Sequence, residues 1–290
     1  MYPRVFWPTD EISGLEDGFL RSVGLGADLV RPLSWVMDGR GIYYDATTPS
    51  DLEHLLQHHV FDETVIERAQ WLRESIVQHG LTKYNVGTGQ WTRPAGDRRV
   101  ILVPGQVESD ASIHYGAPRI NTNLSLLRAV REANPEAYVL YKHHPDVRAG
   151  LRAAGEGEAD AARWCDEIIG DEPMSTLLKT VDEVHVLTSL TGFEALLRGK
   201  RVVTYGQPFF AGWGLTQDMT PPTRRTRRLQ LDELMAGVLI EYPTYVSRTT
   251  GRFTTPERAL EELLAWRSTG ASMLPWWRKG LRWVLRLRGR

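Results

Sequence analysis

Two short runs in this chain hold side chains suited to gripping an anion. In His143-His144-Pro145-Asp146, two imidazoles stand directly before a proline. An imidazole at a strand end donates to a phosphate oxygen and takes up charge when a leaving phosphate becomes more anionic. Proline fixes the backbone and suits the first turn of a following helix. In Thr188-Ser189-Leu190-Thr191-Gly192-Phe193-Glu194-Ala195-Leu196, two hydroxyls precede a helix that begins near Gly192. Hydroxyls and free N–H groups at a helix start make an anion site, and Glu194 is placed to bond a ribose hydroxyl. Plainer readings exist: a histidine that caps a turn, or an N-cap before a buried helix whose Glu194 suits the dipole. Both runs in one β–α region favour a shared phosphate cradle of His143, His144, Pro145, Thr188, Ser189 and Gly192.

Other segments are compatible with chemistry beside that cradle. In Gly105-Gln106-Val107-Glu108-Ser109-Asp110-Ala111-Ser112-Ile113, Glu108 and Asp110 sit two apart in a loop after an apolar strand. Either could act as nucleophile or base, or be merely solvated. Leu15-Glu16-Asp17-Gly18-Phe19-Leu20-Arg21-Ser22 joins acids, a turn glycine and an arginine, and Arg21 suits a bidentate grip on a carboxylate. The loop from Gly206 to Thr216 is rich in aromatics and glycine, and fits either a sugar or base pocket or a structural turn. Metal-site patterns, a GxGxxG and a Walker loop are all missing.

These residues need strands and helices to bring them together. Arg99–Pro104, Ala137–Tyr141, Glu183–Leu187 and Val202–Tyr205 read as strands, and Asn123–Ala133, Met174–Lys179 and Gly192–Leu197 as helices. This alternation predicts a parallel, doubly wound sheet, whose ligands bind at the carboxyl ends of the strands. Upstream, Leu29–Asp38 and Gly41–Tyr44 read as two strands around the turn Asp38-Gly39-Arg40. A helix starts near Ser50, and another runs from Asp62 to His79 with Val65, Ile66, Ala69, Leu72 and Ile76 on one face. Gly87–Asp97 reads as a linker.

The bulk composition narrows the class. A chain of 290 residues, 42% of them hydrophobic, can build one or two packed domains. A net charge of −1 gives no reason to expect nucleic acid as a partner. The single cysteine, Cys165, excludes an intrachain disulfide framework and fits a reducing compartment. No signal peptide or membrane-spanning run is apparent, so the expected location is cytoplasmic. From Pro275 to Arg290, Trp277, Leu281, Val284 and Leu285 share one helical face, opposite Arg278, Arg282, Arg286 and Arg290. That is the pattern of an interfacial helix on anionic lipid, or of a terminal helix packing on its own protein.

Five segments together resemble a known family. Glu16–Gly26, Gln106–Ile113, Lys142–Asp146, Thr188–Leu196 and Pro208–Thr216 are similar, in the same order, to the capsule-polysaccharide β-Kdo transferases of the KpsC type. The resemblance implies a GT-B-like α/β fold of two Rossmann-like domains, the N-terminal one reduced, plus the C-terminal amphipathic helix. Residues 1–96 would form an acceptor-side domain, 97–242 the CMP-sugar-binding domain, and 243–290 the C-terminal helices. It further implies a retaining transferase that moves Kdo from CMP-β-Kdo to a lipid-linked Kdo acceptor, without metal or cofactor. The implied place is the inner face of the cytoplasmic membrane, with other capsule assembly proteins as possible partners. By the family's motif the covalent Kdo adduct falls on Asp110. His144 and Ser189 then attend the departing CMP, Lys142 or Arg21 pairs with the Kdo carboxylate, and Glu16 handles the acceptor proton. Full-length members carry two such modules, and this chain has room for one. The same cradle would suit another CMP-sugar, and a non-catalytic glycolipid- or partner-binding module is the reading from a different class.

Overall fold

A computed structural model describes residues 14–23, 30–83, 85 and 87–268. Strand β1 (Gly14–Asp17) pairs antiparallel with β2 (Ser34–Asp38). Two helices follow, each started by a side chain that satisfies an otherwise unpaired N–H. Ser50 accepts from Glu53 to cap α1 (Asp51–His58), and Asp62 accepts from Val65 to cap α2 (Glu63–Gln78). Helix α2 buries Ala69, Leu72 and Ile76, with Val65 and Ile66 partly buried beside them, as the 3.6-residue period requires.

The next segment is the expected β–α alternation. Its elements are β3 (Val100–Pro104), α3 (Ala111–Gly116), α4 (Asn123–Ala133), β4 (Tyr138–Lys142), α5 (Pro145–Arg148) and β5 (Glu167–Ile169). After them come α6 (Met174–Thr180), β6 (Glu183–Val186), α7 (Leu190–Leu197), β7 (Arg201–Thr204) and β8 (Gln217–Asp218). The six strands form one parallel sheet in the order β5-β4-β3-β6-β7-β8. Strands β3 and β6 are buried at every position: β3 is an unbroken apolar run, whereas in β6 the buried His185 and Glu183 pair with each other at 3.1 Å. The chain winds outward from β3 to β5, then restarts at β6 on β3's other side. The topological switch point therefore lies between β3 and β6, where such sheets bind ligands. Cys165 follows a short 3-10 turn (Glu158–Arg163), and its thiol donates to the Ala161 carbonyl at 3.2 Å.

The chain then forms α8 (Leu231–Ala236), β9 (Thr244–Val246), β10 (Phe253–Thr254) and α9 (Pro256–Ser268). Strand β9 pairs with β2, giving a four-stranded sheet in the order β1-β2-β9-β10. Segments on both sides of the parallel sheet in sequence thus share one antiparallel sheet. The strand expected over Gly41–Tyr44 is not formed, and the earlier one is confined to Ser34–Asp38. Instead the Asp38 carboxylate accepts from the N–H groups of Arg40, Gly41 and Asp51, folding that stretch into turns. The basic amphipathic tail lies outside the described residues.

Aromatic rings join the two sheets. Phe19 stacks at centroid distances of 4.9 Å on Tyr43 and 4.7 Å on Phe209. Phe209 lies 5.3 Å from Phe193 and 5.2 Å from Phe210. The loop that holds Phe209 is nailed down by Arg225, which donates to the carbonyls of Pro208 and Ala211 and to Glu53 of α1. With Phe210 and Trp213 fully buried, this aromatic loop is core rather than pocket wall. Truncating Phe209 to alanine leaves a cavity at the junction, with an expected cost of about 3–5 kcal/mol. Urea unfolding measures this, and a loss under about 1 kcal/mol would show that the junction does not depend on this ring.

Candidate active site

The loops after β3 and β6 are locked to each other by one amide. Gln106 donates from Nε2 to the Thr188 hydroxyl at 3.0 Å, and its Oε1 accepts the Thr188 N–H at 3.0 Å. Its backbone makes a second reciprocal pair: the Gln106 N–H donates to Asn123 Oδ1, and Asn123 Nδ2 donates to the Gln106 carbonyl, both at 2.9 Å. Gln106 thus bridges the switch point and also fixes the start of α4. The Thr188 hydroxyl lies 3.3 Å from that of Ser112, which brings in α3. A side chain on Gly116 would meet Thr188 Cγ2 at 2.8 Å, so this close approach requires glycine.

This frame separates the two loop carboxylates. Glu108 accepts from the N–H groups of Asn123 at 2.7 Å and Glu156 at 2.8 Å, so it holds backbone. Asp110 caps α3, accepting from the Ser112 N–H at 2.9 Å, and is otherwise exposed. Burial, and then the charges of Glu16 and Asp110, push the Tyr44 phenol up. Glu16 Oε1 accepts the Asp17 N–H at 2.9 Å.

The neighbouring histidines differ in tautomer. His144 caps α5, its Nδ1 accepting the Asp146 N–H at 3.1 Å, with Pro145 as the first helical residue. Burial chiefly, with the cations Lys83, Arg152 and Lys142 against the single anion Asp110, pushes its pKa down to about 4. At neutral pH the ring is uncharged, and with Nδ1 accepting, its proton is on Nε2. His143 instead sets Nδ1 2.8 Å from buried Glu158, which also accepts from the Tyr141 hydroxyl and, at 2.6 Å, from the Gly155 N–H. These donors hold the Glu158 carboxyl below its ordinary range despite its burial. The ionised Glu158 orients His143 with the opposite tautomer, Nδ1–H toward the carboxylate.

The remaining candidates fall into two groups. Ser189 caps α7, accepting from Thr191 at 3.3 Å, and stands half-buried at the helix start. Gly192 lies inside α7, where an added side chain would meet the Phe210 ring at 2.7 Å, so its role in the fold is close packing. Glu194 is buried one turn further on and accepts the Lys83 N–H at 2.6 Å. Burial pushes its pKa up to about 7. Lys142 is buried, donating to the Gly170 carbonyl at 2.7 Å, and desolvation lowers its pKa. Arg21 is buried with Nε on Asp17 at 2.5 Å and a second nitrogen on the Ser22 hydroxyl at 2.9 Å. Three further residues, Tyr44, Lys83 and Glu158, belong to this neighbourhood without any motif that marks them. Among the described residues, no three His, Cys, Asp or Glu side chains gather as metal ligands.

A family model described as "Capsule polysaccharide biosynthesis protein" matches residues 11–253. The chain belongs to that family. Within it, the chain is 52% identical over 250 residues to the capsule polysaccharide modification protein LipA of Neisseria meningitidis serogroup B, covering 86% of this chain and 36% of LipA. It is 47% identical over 253 residues to the lipopolysaccharide-processing protein LpsZ of Rhizobium meliloti, and spans 58% of that protein. The chain thus spans only part of the length of these relatives. Two solved structures from Thermosulfurimonas dismutans are similar. KpsC, beta Kdo 2,7 transferase, superposes with TM-score 0.75 at 47% identity, over 87% of this chain and 77% of that one. KpsC, beta Kdo 2,4 transferase, superposes with TM-score 0.80 at 35% identity, over 86% and 78%. This family member is thus a KpsC-type capsule protein with a mixed α/β fold around a parallel sheet. Among the described residues, no helix is long and apolar enough to cross a membrane.

The two shifted groups have opposite effects on stability. The unfolded chain protonates His144 near 6.5 and the native protein near 4, so this group's contribution grows as pH rises from 4 to 6.5. Glu194 protonates near 7 when folded and near 4.5 when unfolded, so its contribution shrinks from 4.5 to 7. Relative to the parent protein, His144→Asn is expected to tilt the pH–stability curve downward with rising pH over the first window. Glu194→Gln should tilt it upward over the second, each by at most about 1.4 kcal/mol per pH unit. Equal slopes for both variants and the parent in urea melts at several pH values would refute both assignments.

Proposed function

We propose that this chain is a retaining β-Kdo glycosyltransferase module, using CMP-β-Kdo as donor and a lipid-linked Kdo as acceptor in capsule linker synthesis. The observation that carries the reading is the Gln106–Thr188 bridge, which holds the Asp110 loop beside the Ser189 helix start at the sheet's switch point. The likeness to two β-Kdo transferases supports the sugar. Of the two linkages, the higher identity, 47% against 35%, favours the 2,7 activity. A GT-B arrangement is part of the proposal, with the antiparallel sheet on the acceptor side and the parallel sheet holding the donor. So is work at the inner membrane face, where the acceptor lipid resides.

The residues divide the reaction as follows. A carboxylate oxygen of Asp110 attacks the anomeric carbon as the bond from that carbon to the phosphate oxygen breaks, and CMP departs with the electron pair. His144 donates from Nε2 and Ser189 from its hydroxyl to the phosphate oxygens as their charge grows. In the second half, the acceptor hydroxyl oxygen attacks the same carbon, its proton passes to Glu16, and Asp110 is released as carboxylate. Two displacements restore the original configuration. The exposure of Asp110 suits a group that must meet a sugar, whereas Glu108 is spent on backbone.

Asp110→Asn separates this chemistry from structure, because asparagine still caps α3. It should lose transfer by at least about a thousandfold, keep CMP affinity and keep its unfolding midpoint. Intact mass spectrometry after mixing the parent protein with CMP-Kdo should show one added Kdo, mapping by peptide digestion to Asp110. Transfer at the parent rate by Asp110→Asn would rule the nucleophile out. CMP binding with neither adduct nor transfer would favour a non-catalytic module, and turnover with CMP-sialic acid instead would reassign the sugar.

A further inference from the structure

A hollow of about 350 Å³ opens beside the Asp110 loop, away from the crevice between β3 and β6. That volume is within the range of small-molecule sites. Its walls come from the β3–α3 loop, α3, the α3–α4 connection and the segment between α5 and β5. No residue of β6 or α7 lines it. Glu108 holds the shape, tying the loop to the N–H groups of Asn123 at 2.7 Å and Glu156 at 2.8 Å. A side chain on Gly155 would collide with that pinned carboxylate, so the two segments close on each other only with glycine there. The hollow is therefore formed before any ligand arrives.

Its lining is polar and largely uncommitted. Among the described residues, the side chains of Ser109, His114, Asn121 and Glu156 make no hydrogen bond. They offer a hydroxyl, an imidazole, an amide and a carboxylate, so donors and acceptors stand side by side. Ile113, only 2% exposed, supplies an apolar floor. The His114 ring meets that of Tyr115 edge-on at 4.7 Å, and Tyr115 is 42% exposed, which adds an aromatic ring beside the hollow. Two carboxylates line the hollow, and no lysine or arginine does. A phosphate or a sugar acid would meet repulsion there with no cation to offset it. A ring of neutral hydroxyls both gives and accepts hydrogen bonds, and its C–H face suits an apolar floor.

We infer that this hollow is a subsite for an uncharged saccharide ring, separate from the donor crevice. Ser109 directly precedes Asp110, so the ring would sit against the loop that carries the proposed nucleophile. The inference does not depend on which sugar that loop transfers. A free monosaccharide and an uncharged unit of a longer saccharide present the same chemistry.

The test uses the full chain and its Asn121→Ala and Glu156→Ala variants, both at exposed positions where the fold tolerates change. Saturation-transfer NMR is recorded with methyl glucoside, N-acetylglucosamine, maltotriose and glucuronate at up to about 20 mM, well above a millimolar Kd. At least one uncharged sugar should show transfer, and glucuronate should be silent. Each variant should weaken that binding about fivefold, the loss of one hydrogen bond, while CMP affinity stays within about twofold of the parent. Tighter binding of maltotriose than of the single rings supports the subsite as one for a unit of a chain, and equal binding supports it as one for a free ring. Silence from every uncharged sugar overturns the inference. So does equal binding by the parent and both variants, displacement of the bound sugar by CMP, or glucuronate binding as tightly as the neutral rings.

Discussion

The site depends on the side-chain amide of Gln106 more than on any charged group. At the switch point of a doubly wound sheet, two loops diverge from adjacent strands, and nothing in the sheet's own hydrogen bonding holds them in register. An amide carries a donor and an acceptor on one rigid plane, so it can satisfy both the N–H and the hydroxyl of Thr188. A carboxylate would lack the donor and an aliphatic chain both. Each bond contributes only about 1 kcal/mol net, but leaving partners unsatisfied in a buried setting costs about 1–3 kcal/mol each. The reciprocal backbone pair with Asn123 makes the arrangement cooperative, because the loop cannot shift to release Thr188 without also releasing the start of α4.

A second constraint joins that site to the rest of the molecule. Phe19, Phe193 and Phe209 come from three of the five recognisable motifs, yet their contacts are with one another. Much of what makes these motifs recognisable is therefore packing: they are where the antiparallel sheet, α7 and the aromatic loop must fit. Gly192 makes the same point, since its missing side chain is what lets Phe210 close on α7. Beside this apolar contact, Glu194 and Arg198 tie the segment between α2 and β3 to the same helix. The helix whose start lies at the strand ends is thus also the helix that holds the junction between the two sheets.

The parallel sheet was largely legible because buried strands such as Val100–Pro104 are apolar throughout and alternate with capped, amphipathic helices. Strand β5 was not legible, since three residues with one exposed carry no period. Gly41–Tyr44 misled because its apolar residues serve turns and the aromatic junction rather than a ladder. At the site, His144 and Ser189 could be placed at strand ends because each precedes a helix start, and Asp110 because its loop follows an apolar strand; that Asp110 caps α3 could not be read. The difference between Glu108 and Asp110 could not, because Glu108 is claimed by backbone that folds back from Asn123 and Glu156. Lys83 was hidden for the same reason: the carboxylate that fixes it lies 111 residues away.

An uncharged histidine is a sound choice for a cradle of this kind. Burial, and the charges of Lys83, Arg152 and Lys142, make an imidazolium costly here, so His144 is kept neutral with its proton on Nε2. In the proposed reaction, charge developing on a departing phosphate would meet a donor whose orientation is fixed by the Asp146 N–H, with little reorganisation. An arriving anion also reverses the local balance of charge and raises the affinity of His144 for a proton. On the proposed mechanism the group would move from neutral donor toward cation as the leaving group becomes a dianion. His143 is held differently: its Nδ1 lies 2.8 Å from the Glu158 carboxylate, which its donors keep below the ordinary range. Two adjacent histidines of the same residue type are in this way given different chemistry by the one hydrogen bond each makes at Nδ1.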